Sequence, residues 1–169
     1  MEGLLFYGLA AIMVVSSCMV ILRKNPVHSA LFLVLTFFCL AGLYLLLDAQ
    51  FIAAIQIIVY AGAIMVLFIF VIMLLNLDKE VASQNGHGLQ KFWAMVLSVV
   101  LAISFVSIMT ARVFTGEKGD FSPEAVNAVG NSEVIGRLLF TKFLLPFEIT
   151  SVLLLAAIIG AIVLAKKKL

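Results

Sequence analysis

The chain alternates long stretches almost free of polar positions with short polar interruptions, and that alternation predicts its elements. Apolar runs cover residues 3–22, 27–47, 51–76, 92–114 and 145–165. Each reaches the roughly 20 residues that a helix needs to cross the hydrocarbon core of a bilayer. The third run, FIAAIQIIVYAGAIMVLFIFVIMLLN, is apolar on every side, and such a helix belongs in lipid or deep within protein. At 1.5 Å per residue it measures about 39 Å against a core of roughly 30 Å, so it must tilt, protrude or deform. Its centre breaks the bulky pattern. Tyr60 is followed by Ala61, Gly62 and Ala63, small residues that admit a neighbouring backbone and weaken the helix there.

The interruptions carry their own signals. In Arg23-Lys24-Asn25-Pro26, Asn25 is expected to cap the second helix and Pro26 to occupy its first turn, where no backbone donor is needed. Asp48, the only charge between the second and third runs, is expected as the N-cap of the long helix. Residues 115–142 form the only sizeable extramembrane segment. Gly, Ser, Pro, Asn and Asp in its first half predict loop, whereas Val134, Ile135, Leu138, Leu139 and Phe143 recur at helical spacing and predict a short amphipathic helix along the membrane surface. The segment is too small to fold as a catalytic domain.

Composition sharpens the class. The chain is 64% hydrophobic and 12% charged with a mean hydropathy of +1.24, against about half apolar and a quarter charged for a soluble domain. The expectation is an all-α polytopic membrane protein, a single membrane domain over residues 1–169 with five transmembrane helices. The net charge of +2 has no global meaning, and no basic patch with interleaved aromatics points to nucleic acid. Cys18 and Cys39 fall inside apolar runs, where a thiol behaves as a small hydrophobe. His28 and His87 stand far apart, so no metal or haem spacing can be assembled. With Glu2 and no Lys or Arg before it, the first run is expected to remain a membrane helix rather than act as a signal peptide.

Orientation follows from the basic residues. With five spans, Arg23, Lys24, Lys79, Lys91 and Lys166 to Lys168 share one side, while Arg112, Lys118, Arg137 and Lys142 lie opposite in one long segment beside Glu117, Asp120, Glu124 and Glu133. The positive-inside bias then predicts an N-terminus outside and a C-terminus in the cytoplasm or its equivalent.

Polar groups within the spans are functional candidates because lipid makes them costly. Gln56 and Tyr60, at i and i+4, are expected to share a helix face, with Tyr60 near mid-membrane where its hydroxyl needs a partner or water. Glu148, just after Pro146, sits near the start of the fifth helix, where the dipole favours a carboxylate; helix capping and proton handling both account for it. Ser16, Ser17, Thr36, Ser98, Ser104 and Ser107 read as helix-packing hydroxyls, and Ala156-xxx-Gly160 and Ala157-xxx-Ala161 as close-packing positions. No phosphate loop, nucleophile with its base, or set of cofactor ligands occurs.

The run QIIVYAGAIMVLF from Gln56, with NPVHSAL from Asn25 before it and FEITSVLLLAA from Phe147 after it, closely resembles the subunit J family of NADH-quinone oxidoreductase, respiratory complex I. The resemblance covers the five spans in order; residues 81–90 and 115–131 match nothing distinctive. It implies a membrane-arm subunit that binds no cofactor of its own, with FMN, iron–sulfur clusters and quinone elsewhere in the complex, and with subunits A, H, K and N as neighbours in the bilayer. It further implies a location between the quinone-binding region and the antiporter-like channels, in a bacterial plasma membrane or, if organellar, the mitochondrial inner membrane. The family's third helix carries a π-bulge at the Tyr-Ala-Gly-Ala run that forms and relaxes in turnover, which here falls on Tyr60, Ala61, Gly62, Ala63, Ile64 and Met65. Gln56, Tyr60 and Glu148 become candidates for the coupling or proton path. Gln56 departs from the acid found in many members, and a neutral amide neither takes nor releases a proton at physiological pH. Three readings follow: a coupling subunit, a purely structural subunit of the same kind of complex, or an independent small transporter, the last disfavoured by the scarcity of ionisable groups.

Overall fold

The structure, a computed structural model, describes residues 1–75, 88–110 and 122–166. Lys79, His87, Arg112, Glu117, Lys118, Asp120, Lys167 and Lys168 lie outside the described residues, as do the side chains of Lys91 and Glu124 and the expected span ends at 76 and 111–114. Among the described residues the chain is helical: α1 (Glu2–Leu22), α2 (Pro26–Leu46), α3 (Gln50–Ile55), a π-helical segment (Gln56–Ile64), α4 (Met65–Leu74), α5 (Gly88–Thr110), α6 (Pro123–Val129), α7 (Asn131–Phe140) and α8 (Leu144–Ala165). α3, the π segment and α4 run on as one helix, so five helices are long and apolar enough to cross a membrane.

The turn between α1 and α2 forms as the local chemistry dictates. The Asn25 side chain accepts hydrogen bonds from the amides of Val27 (2.9 Å) and His28 (3.3 Å), and Pro26 opens the helix. Arg23 lies over the Phe32 ring at 5.4 Å, and the Ser29 hydroxyl donates to the Val20 carbonyl, so the turn is tied from both helices. α1 then packs along α2, closely enough that a methyl placed on Gly42 would come within 2.9 Å of Leu9.

Asp48 does not cap the third helix. It ends the second: its φ is +55°, its amide donates to Leu45, and the Ala49 amide reaches back to the Tyr44 carbonyl at 3.0 Å. This is the Schellman pattern, in which a left-handed residue closes a helix and satisfies its last carbonyls; aspartate tolerates that conformation better than most residues. The third helix begins two residues later at Gln50.

A second difference lies in the extramembrane segment. Residues expected as loop form α6, because the Ser122 side chain accepts from the Ala125 amide at 3.3 Å and Pro123 fills the first helical position. The amphipathic helix predicted after it is α7, separated from α6 by Gly130 at φ +103°. Burial is uneven: α1, α2 and the third helix supply the buried residues, while the membrane-crossing parts of α5 and α8 bury none.

Candidate functional site

The third helix changes hydrogen-bond register midway. The Gln56 amide points to the carbonyls of Ile52 and Ala53, as in an α-helix, whereas the Met65 amide points to Gly62 and to Tyr60, five residues back. The nine residues Gln56–Ile64 are π-helical. Such geometry is rare and recurs at functional sites.

The extra residue is visible in what the helix buries. Its buried residues are Ala53, Gln56, Ala61 and Met65, separated by three, five and four positions. An uninterrupted α-helix keeps one face at steps of three and four, so the step of five marks the insertion. Gln56 and Tyr60 are therefore not equivalent on one buried face: in a segment that packs on α2, Gln56 is 6% exposed and Tyr60 45% exposed. The Tyr60 ring meets Phe37 of α2 edge-on, with centroids 5.8 Å apart. No hydrogen bond among the described residues reaches either polar tip. Of the other switch candidates, Ala63 and Ile64 point outward and Met65 inward.

Gly62 has a specific reason to be glycine. A methyl built on it would stand 3.2 Å from the Ile57 carbonyl oxygen, five residues back in the π segment.

The remaining candidates lie apart. Glu148 is exposed, the fifth residue of α8 and about 6 Å from its start; no hydrogen bond among the described residues joins it to Gln56 or Tyr60. The expectation that hydroxyls tie helices together is mostly replaced by local bonding. Ser17 donates to Met13, Thr36 to Phe32, Ser98 to Met95 and Ser104 to Val100, each within its own helix. Back-bonding of this kind satisfies a hydroxyl without a neighbouring helix. Ser16 alone of the group is buried. Cys18 is exposed and Cys39 buried. Among the described residues no three His, Cys, Asp or Glu side chains gather closely enough to hold a metal ion.

One contact escaped the sequence reading altogether. The Asn131 side chain at the start of α7 accepts a hydrogen bond from the Phe51 amide, in the first turn of α3, at 3.3 Å. No periodicity or local cap pattern signals a bond across 80 positions.

Residues 16–164 match the family model described as NADH-ubiquinone/plastoquinone oxidoreductase chain 6. The chain is 40% identical to NAD(P)H-quinone oxidoreductase subunit 6 of the organellar chromatophore of Paulinella chromatophora, over 97% of this chain and 78% of that protein. It is 39% identical to NADH-quinone oxidoreductase subunit J of Rhodobacter capsulatus, over 94% and 79%, and 38% identical to NAD(P)H-quinone oxidoreductase chain 6 of a Nostoc species, over 96% and 78%.

Proposed function

This chain belongs to the NADH-ubiquinone/plastoquinone oxidoreductase chain 6 family, and from that premise we propose that its third helix couples quinone reduction to proton translocation by converting between π and α forms. The chain is a multi-pass membrane subunit of NADH-quinone oxidoreductase, and the other subunits of that complex are its partners. The observation that supports the coupling role is the step of five between Gln56 and Ala61 in the buried line. In a wholly α-helical state the line passes through Tyr60 and Ile64 instead of Ala61 and Met65. Conversion thus moves Tyr60, now half-exposed with its ring edge on Phe37, into the buried line in place of Ala61 and turns α4 by about 100°, one residue's angle. A two-state element with different side chains at an interface is what coupling between distant sites requires.

In this reading the chain holds no redox centre: flavin, iron–sulfur clusters and quinone belong to other subunits, and its immediate neighbours are subunits A, H, K and N. Gln56 orients water rather than carrying a proton, because its amide does not ionise. Tyr60 supplies the movable hydroxyl, and Glu148 an electrostatic support near a helix start. The purely structural alternative draws on α5 and α8, whose bare surfaces suit a subunit wedged between larger ones. Gly62→Ala separates the two. Its methyl crowds the Ile57 carbonyl in the π form and little else, so an assembled complex should reduce quinone and move protons more slowly. Unchanged rates would make the helix passive packing.

Two further outcomes follow. Glu148→Gln should assemble normally and lower quinone-linked proton translocation only in part; complete loss in assembled complex would make this carboxyl an obligatory carrier. A reporter fused after Leu169 should be active on the cytoplasmic side, because Arg23, Lys24 and the terminal lysines share a side under the positive-inside bias. Activity only on the opposite side would invert the topology.

A further inference from the structure

We infer that Asn131 is a positioning residue that pins the N-terminal half of the third helix, so that the turn released by π-to-α conversion is delivered to α4 and not to α3. The inference rests on the conversion proposed above. Inserting or removing one residue within a helix rotates one end relative to the other, and which end moves depends on which is held less firmly.

The two ends are held unequally. On the α3 side, the Schellman turn at Asp48 joins the helix to α2 through the bonds of Asp48 and Ala49 to Leu45 and Tyr44. Ala53 is buried, and the Phe51 amide donates to the Asn131 side chain of α7. That amide is one of the first-turn donors that an α-helix leaves without an internal partner. An acceptor from α7 therefore fixes both the position and the azimuth of α3 without competing with its own bonds. On the α4 side, Met65 is the only buried residue of its segment, and Val66, Leu67, Phe68, Phe70 and Val71 are exposed. α4 packs on α2 as α3 does, but among the described residues no hydrogen bond ties it to another helix, so it turns where α3 is held.

Asn131 is well placed for this work. It follows Gly130, whose φ of +103° redirects the chain between α6 and α7, and α7 also packs against α8. The surface helix is thus a fixed bracket spanning the outer ends of two membrane helices. Without the pin, conversion can swivel α3 and leave α4 still, a change that does no transmitting.

The test uses whole complex in native membranes, with protons moved per quinone reduced measured per assembled complex for Asn131→Ala, Asn131→Ser and Asn131→Asp. Losing a cap acceptor weakens a helix start enough to shift a balance about fivefold, so idle conversions should rise relative to productive ones by about that factor in Asn131→Ala. The proton-to-quinone ratio should fall while quinone reduction continues. Asn131→Ser, with a shorter acceptor, should fall less, and Asn131→Asp, which still accepts from the amide, should restore the ratio. A merely structural role lowers the amount of complex and leaves the ratio alone, and a normal ratio in assembled Asn131→Ala would overturn the proposal. Failure of all three variants to assemble would make Asn131 a folding contact and overturn it equally. Gly62→Ala measured beside them separates the two levels: if it is without effect the conversion itself is wrong, whereas a slowed Gly62→Ala with a normal Asn131→Ala ratio removes only the pin.

Discussion

In assembled complex carrying Gly62→Leu, quinone reduction and proton translocation should both fall about fivefold or more. Replacing glycine by leucine within a helix gains roughly 1 kcal/mol in intrinsic propensity, and that gain goes to the regular α form. An energy of about 1 kcal/mol shifts a two-state balance about fivefold. Crowding adds to it, because in the π segment the new Cβ stands 3.2 Å from the Ile57 carbonyl, which must give way. Leucine then adds bulk beyond the Cβ, where nothing but the Ile57 carbonyl stands within 4 Å of the Cβ itself. Gly62→Ala shares the propensity gain and the Cβ contact but not the bulk, so the difference between the two variants isolates packing from register. Rates normalised to the amount of intact complex on native gels give the measurement. Full turnover in both variants would leave the π segment without a role in coupling.

The second large effect is on stability. Gly130→Val should lower the temperature at which the complex loses this subunit, with a destabilisation of about 1–3 kcal/mol from backbone strain. At φ +103° and ψ 131° the residue lies where an L side chain collides with its own backbone, although nothing else stands within 4 Å. The penalty is purely conformational, and a branched side chain suffers it fully. Gly136→Ala provides the control. It lies inside α7 with open space around it and should be neutral or stabilising by up to about 1 kcal/mol. Equal thermal behaviour of the two variants would show that the α6–α7 bend accommodates a side chain.

The membrane architecture was legible because lipid imposes a length and a composition on every span, and the expected ends agree with the observed helices to within a few residues where both are described. The Asn25–Pro26 cap was legible for a similar reason, since donor and acceptor lie two and three positions apart. Asp48 was misassigned because aspartate suits both a helix start and a left-handed helix end, and only the bonds from Asp48 and Ala49 back to Leu45 and Tyr44 decide between them. The Ser122-Pro123 start was overlooked under the loop-forming composition around it, although a serine followed by proline is itself a helix-opening signal. The small residues after Tyr60 fall within the π-helical segment. They did not say that the buried face there advances by five, because that depends on the shape of α2. Asn131 was out of reach for a simpler reason: its bond joins two helix starts that only the folded chain brings together.

The bare surfaces of α5 and α8 also bear on how the cell makes this protein. With no residue of those spans buried by the chain's own helices, a newly inserted copy is packed only in its first half. The rest must be finished by proteins from other genes. Synthesis in excess of those proteins yields orphans whose last spans meet only lipid, and membrane quality control should remove them quickly. Abundance is then set by the scarcest neighbour and not by this gene's own output, so doubling its dosage should leave the amount in the membrane almost unchanged.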